Sequence, residues 1–140
     1  MYVKQLSVFL ENREGRLEEA LKVLKDNGIN IISLSLSDAS DFGLLRLIVS
    51  DPDEARRVLK ESRFSSQVSD IIAIRISHTV GSLFEVLRAI TEAGINIEYM
   101  YTLSVGVEGA SLALKTSDLA RTDELIGGMS VHMYTQEELG

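Results

Sequence analysis

Two polar loops carry the residue types best suited to hold a small ligand. They read Glu11-Asn12-Arg13-Glu14-Gly15-Arg16-Leu17 and Ser77-His78-Thr79-Val80-Gly81-Ser82-Leu83. Each ends in Gly-x-Leu where an apolar-periodic segment begins, so each opens a helix. The first N–H groups of a helix have no intrahelical acceptor and attract a carboxylate or other anion. A Gly at that point lets a ligand approach the backbone closely. Asn30 and Asn96, each after Gly-Ile, add an amide that donates and accepts at once, which suits either end of a zwitterion. A plainer reading is also open: helix-start turns, and Asn side chains bonded to their own backbone.

Catalytic chemistry finds little support. The chain has two histidines. His132 sits between Val131 and Met133 in the last expected strand and reads as structural or surface. His78 has neither the Ser-His-acid spacing nor the paired carboxylates that acid–base work requires. No His-x-x-x-His or acidic ligand cluster suggests a metal, and no cofactor motif is present. With no cysteine there are no disulfides and no thiolate nucleophiles. Glu18, Glu19, Glu137 and Glu138 read as solvated surface charge. Tyr99 and Tyr101 share one strand face, where Ser33 and Ser35 stand in the preceding half; they suit a contact between units or a ligand wall.

The elements that position these residues follow from periodicity. Leu6, Val8 and Leu10 alternate in a strand over Lys4–Glu11. Leu17, Ala20, Leu21 and Leu24 mark one face of a helix over Gly15–Asn27, which stops at Gly28. Strands over Asn30–Ser37 and Leu44–Ser50 flank a turn at Asp38–Gly43. Asp51-Pro52-Asp53-Glu54 starts a second helix, with Asp51 as N-cap and Pro52 at the first helical position; it ends near Ser62. A short strand at Ser66–Ser69 completes the unit. The second half repeats this order: strands Ile71–Ser77, Asn96–Val105 and Ala110–Thr116, helices Ser82–Ala93 and Asp118–Gly127, a hairpin turn at Gly106-Val107-Glu108-Gly109, and a last strand at Val131–Thr135. The tail Gln136–Gly140 reads as polar and loose.

The repetition is one of sequence as well as pattern. At an offset of 66, eight of the 17 positions from Gly15 to Ile31 are identical, ending in Gly28-Ile29-Asn30-Ile31 against Gly94-Ile95-Asn96-Ile97. The chain therefore reads as two units, residues 1–69 and 70–140. The order βαββαβ makes an α+β, ferredoxin-like unit with both helices on one face of an antiparallel sheet. Units this small bury too little surface alone and are expected to pack on each other or on a second chain.

Charge narrows the partners. The chain of 140 residues carries a net −7. Up to residue 66, ten Lys/Arg face eleven Asp/Glu; beyond it, four face ten, so the two parts carry −1 and −6. Neither has the basic stripe that a nucleic-acid backbone requires. No signal-peptide pattern precedes the first strand, and no apolar run approaches the ~18 residues of a membrane span. A cytoplasmic protein without nucleic-acid or membrane partners is expected.

Strand, polar loop, Gly-x-Leu, helix, Gly-Ile-Asn-Ile, strand: this pattern resembles the ACT domain, and it occurs twice. The resemblance covers nearly the whole chain and is nearest to stand-alone tandem-ACT proteins. It implies a regulatory module that binds a free amino acid, with two units pairing into an eight-stranded sheet, helices on one side, and ligand at the interface between units. Carried over, one site would use Asn12, Arg13, Gly15, Arg16 and Leu17 with Asn96, Ile97 and Glu98. The other would use His78, Thr79, Gly81, Ser82 and Leu83 with Asn30 and Ile31. Many ACT loops carry Pro just before the Gly, where this chain has Glu14 and Val80. The loops also differ in charge, Arg13, Glu14 and Arg16 against Thr79, Val80 and Ser82, so the two sites are not expected to bind alike.

Three functions are open. The first is a non-catalytic amino-acid sensor, acting as a homo-oligomer such as a dimer. The second is a subunit that binds and controls a biosynthetic enzyme, similar to the small subunit of acetolactate synthase. The third is an enzyme with His78 as acid–base group, for which the surrounding residues give least support.

Overall fold

The computed structural model describes residues 1–39, 41–77, 79–104 and 109–139. By contact the chain forms two compact units: Lys4–Asp70, joined by Leu139, and Ile71–Glu138, joined by Met1–Val3. The first unit is built from β1 (Val3–Glu11), α1 (Arg16–Asp26), β2 (Ile31–Ala39), β3 (Phe42–Val49), α2 (Pro52–Glu61) and the start of β4 (Ser65–Ile76). The second uses the rest of β4 with α3 (Ser82–Glu92), β5 (Ile97–Leu103), β6 (Ala110–Thr116), α4 (Leu119–Gly127), β7 (His132–Met133) and α5 (Gln136–Leu139).

In the first unit β1 lies between β3 and β4, and among the described residues β2 pairs with β3 alone. The antiparallel register sets Leu6 opposite Leu47 and Val8 opposite Leu45. Those four side chains face the helices and are fully buried with Ala20 and Leu24 of α1 and Ala55, Val58 and Leu59 of α2. Burying each Leu stabilises by roughly 1.5–3 kcal/mol relative to exposure. The second unit repeats this construction. Ile72, Ile74 and Ile76 of β4 and Leu112 and Leu114 of β6 pack under Val86, Ile90 and Ile126. The helix stops expected at Gly28 and Gly94 are present, at φ 68° and 74°.

Among the described residues seven strands stand where eight were expected. The short strand at Ser66–Ser69 and the strand at Ile71–Ser77 are one twelve-residue strand, β4. Nothing between Phe64 and Ser77 breaks it: the stretch has no Gly and no Pro, and Ser69-Asp70 adopts extended backbone without penalty. The β2–β3 hairpin is also tighter than the expected turn Asp38–Gly43. Asp38 pairs with Gly43 and Ala39 with Phe42, so the strands run almost to the tip. Most of the second hairpin turn, Gly106-Val107-Glu108, lies outside the described residues.

The C-terminus departs further. The expected strand Val131–Thr135 is only the two residues of β7, paired with β4. The tail is ordered rather than loose. Thr135 Oγ1 accepts from the Glu138 N–H at 3.2 Å, and Glu138 Oε1 accepts from the Thr135 N–H at 2.9 Å. This reciprocal capping box starts α5, and Leu139 is buried. Glu138 is exposed, as a surface charge should be, and also serves as a structural acceptor; its other oxygen lies 2.7 Å from His132 Nε2.

Candidate functional site

The four longer helices start in two different ways. Asp51 and Asp118 cap α2 and α4, each accepting a backbone N–H at 3.1 Å. By contrast α1 and α3 begin at Gly15 and Gly81, at φ 80° and 85°, with no side-chain cap. The α1 ladder begins with Glu19 N–H to Gly15 O, 2.9 Å, leaving the N–H groups of Leu17 and Glu18 ahead of it. In α3 the equivalent bond is Glu85 N–H to Gly81 O, also 2.9 Å. Only Gly adopts this left-handed turn without strain, and it leaves the helix start open to an outside acceptor. These are the two helices that follow the polar loops.

A cleft of 390 Å³ opens at the start of α1. Asn12, Arg13, Arg16 and Leu17 line it on the loop side, with Leu10 and Glu11 of β1. Leu36, Ser37 and Asp38 of β2 and Gly43 of β3 line the other side. The hairpin lining was not foreseen from sequence, because Asp38 and Gly43 read there as turn residues. The register explains their role: both Leu10 and Asp38 pair with Gly43, so the missing side chain of Gly43 leaves room between them. A Cβ at Gly43 would lie 3.5 Å from Leu36 Cδ1 and 3.9 Å from Leu10 Cβ.

The loop cations are held in a network. Arg16 donates to Glu19 at 2.8 Å and lies 3.5 Å from Glu11. Arg13 lies 3.4 Å from Glu11 and 3.6 Å from Glu19. The Arg16 guanidinium also stacks on Phe64, 3.8 Å from the ring centroid, and its buried Nε has no acceptor among the described residues. Phe64 went unmarked in the sequence, where nothing signals a stacking partner 48 positions away.

The second loop is neutral and bonded to itself. Ser82 Oγ lies 2.8 Å from both Ser77 Oγ and Thr79 O. A smaller cleft of 220 Å³ runs from Ser77, Ser82 and Glu85 to Met129, Ser130 and Val131. Thr79 and Gly81 are exposed and Leu83 is half-buried. His78 lies outside the described residues.

The strand starts form a repeated device of their own. Asn30 N–H donates to Ser50 Oγ, and Asn96 N–H to Ser117 Oγ, each at 3.0 Å. The Asn carbonyls accept in return from the N–H groups of Ser50 and Ser117, at 2.9 Å. The backbone is fixed in this way, and each exposed Asn side chain stays available. Ile31 and Ile97 are half-buried and Glu98 is exposed. Asn30 and Ile31 line a shallow surface with Lys25, Gly28 and Ile29, past the far end of α1 from the loop. Eleven helical residues span roughly 16 Å. Neither unit therefore brings its own loop and its own strand start together.

Tyr99 and Tyr101 share a face as expected, with rings stacked 6.5 Å apart. Among the described residues no group of His, Cys, Asp or Glu is placed to hold a metal ion. No helix among them is long and apolar enough to cross a membrane.

Two βαββαβ repeats, each with an uncapped helix after its first strand, define a tandem ferredoxin-like protein of the ACT class. The chain belongs to the ACT domain pair family, whose profile matches residues 1–140. It is similar to protein BT0572 from Bacteroides thetaiotaomicron: TM-score 0.92, 36% identity, covering 99% of this chain and 96% of that one. The fold is also that of the aspartate kinase regulatory subunit from Thermus thermophilus, at TM-score 0.61 and 13% identity, covering 89% and 90% of the two chains. None of the curated proteins compared with the chain matches it.

Proposed function

We propose that the chain is a non-catalytic regulatory sensor that binds a free amino acid or a similar small ligand, with one ACT unit over residues 1–69 and another over 70–140. The observation that carries this reading is the 390 Å³ cleft at the uncapped start of α1. An amino-acid carboxylate there meets the open N–H groups of Leu17 and Glu18, the positive end of the helix dipole. Micromolar binding needs about −8 kcal/mol. A ligand of about ten heavy atoms reaches that only with efficient contacts, since even the best small ligands gain about 1.5 kcal/mol per atom. A rigid helix start beside a shaped cleft is the preorganised arrangement such efficiency requires. Membership of a family built only of ACT units supports a role without chemistry of its own. The lack of cysteine suits a reducing compartment such as the cytoplasm.

Thermal denaturation against the common amino acids at millimolar concentration tests the reading. A ligand at a hundred times its Kd stabilises by about 2.7 kcal/mol, which raises the melting temperature by several degrees. One amino acid or a small group of them should do so. Denaturation unchanged by every one would overturn the proposal.

A further inference from the structure

The charges around the first cleft select one end of its ligand, and the inference rests on the sensor reading above. Arg13 and Arg16, the cations of the loop, are both matched by Glu11 and Glu19. Asp38 lines the same cleft from the end of β2 and is exposed, and its side-chain carboxylate has no hydrogen bond or ion pair among the described residues. With Glu19, outside the lining but paired to both arginines, the four network charges cancel, and the Asp38 carboxylate is the charge left without a partner. Glu14 and Glu18 in the loop and first helical turn, and Asp41 in the hairpin, add to the negative potential. A carboxylate ligand gains only the helix start; an ammonium group gains an unmatched anion. The rest of the wall is aliphatic: Leu10 is 4% exposed, Leu17 is half-buried, and Leu36 is 51% exposed beside the space that Gly43 leaves.

We infer that the cleft selects an aliphatic amino acid, with Asp38 holding the ligand's ammonium group and Leu36 covered by its side chain. The determinant belongs to the first repeat alone. At the offset of 66, Ser104 stands for Asp38, and Ser77, Thr79 and Ser82 stand for Glu11, Arg13 and Arg16. The second repeat thus keeps the open helix start and, of the network, only Glu85 in the place of Glu19, with neither loop cation and no counterpart of Asp38.

Calorimetric titration with three probes that share one tail tests this: L-leucine, 3-methylbutylamine and 4-methylpentanoate. Wild-type protein should bind L-leucine, bind the amine more weakly, and bind the acid at least about tenfold more weakly than L-leucine, the scale of one charge-assisted hydrogen bond. Asp38→Asn should weaken L-leucine and the amine by about tenfold and leave the acid unchanged. An unshifted melting temperature for the unliganded variant confirms that it folds, as the exposure of Asp38 leads one to expect. Equal L-leucine affinity in wild type and Asp38→Asn would overturn the inference while the sensor reading stands. So would binding of another amino acid but not L-leucine. Failure of every amino acid in the thermal screen would instead remove the sensor reading, and this inference with it.

Discussion

Gly43 and Gly109 occupy one position of the repeat for different physical reasons. Gly109 sits at φ 76°, and a Cβ there would fall 2.1 Å from the Ile76 carbonyl oxygen. Only Gly fits. Gly43 has no positive φ, and a Cβ there meets only ordinary contacts, the nearest at 3.5 Å. Its value lies in the space it leaves between Leu10, Leu36 and Asp38. A strand interior loses roughly 0.5–1 kcal/mol by carrying Gly in place of Ala. Gly43→Val should therefore keep or raise the urea midpoint, because a β-branched residue suits a strand. The same variant should lose ligand-induced stabilisation, because the added methyl groups fill the cleft floor. A variant with unchanged ligand response would mean that the ligand lies elsewhere. The sequence could not separate the two glycines: both follow a hairpin turn, and only the register tells which one opens a cavity.

At the scale of elements, the helices were legible and the sheet was less so. Asp51-Pro52 and Asp118 announced the starts of α2 and α4 because capping is a local interaction between neighbouring residues. Apolar spacing placed α1 and α3 within a residue or two for the same reason. Strand limits depend on partners far along the chain. That is why β4 came out as one strand and why Asp38 moved from a turn into the β2–β3 ladder. It is also why the loop side of the candidate site could be named in advance and the hairpin side could not. The missed tail is a different case. Thr135-Gln136-Glu137-Glu138 carries the capping-box signature, and its four-residue helix is too short for apolar periodicity to reveal. Its pH dependence follows from Glu138. The Thr135 N–H, and after it His132, hold the Glu138 carboxyl below the ordinary glutamate range. The charged form is the better acceptor, so the box is intact above the unfolded value of about 4.3 and weakens as pH falls through the lower folded one. Amide exchange at Glu138 and Leu139 should quicken over that acid window relative to the α2 core. Glu138→Gln should show little of this dependence. Equal protection on both sides of the window would show that the carboxylate does not hold α5.

At the scale of the whole molecule, the sheet edge bears on assembly. β2 pairs with β3 and with no other strand among the described residues. Over its nine residues it carries no Pro, Lys or Arg, and Asp38 is its only charge. Natural edge strands are usually protected by charge, proline, bulges or a cover, because an open edge is a template for another strand; β2 has one such irregularity, a register shift between Ile31 and Ser33, and pairs regularly from there to Ala39. Leu34 and Leu36 add to the exposure, at 49% and 51%. Their alternate neighbours Ser35 and Ser37 bring no charge to oppose a second copy. A net charge of −7 opposes self-association at long range, yet salt screens it beyond about 8 Å under physiological conditions. Short-range pairing at β2 should then win, and the protein should sediment at twice the mass of one chain in physiological salt. Leu34→Lys places a charge on that edge at an exposed position, away from the buried core and from the cleft lining. It should leave the fold and the amino-acid response of each chain intact while shifting sedimentation toward the monomer. Because like charges on paired edges repel less as salt rises, the variant should recover part of its dimer in high salt. A wild-type monomer, or a Leu34→Lys dimer as tight as wild type, would show that copies do not meet at β2.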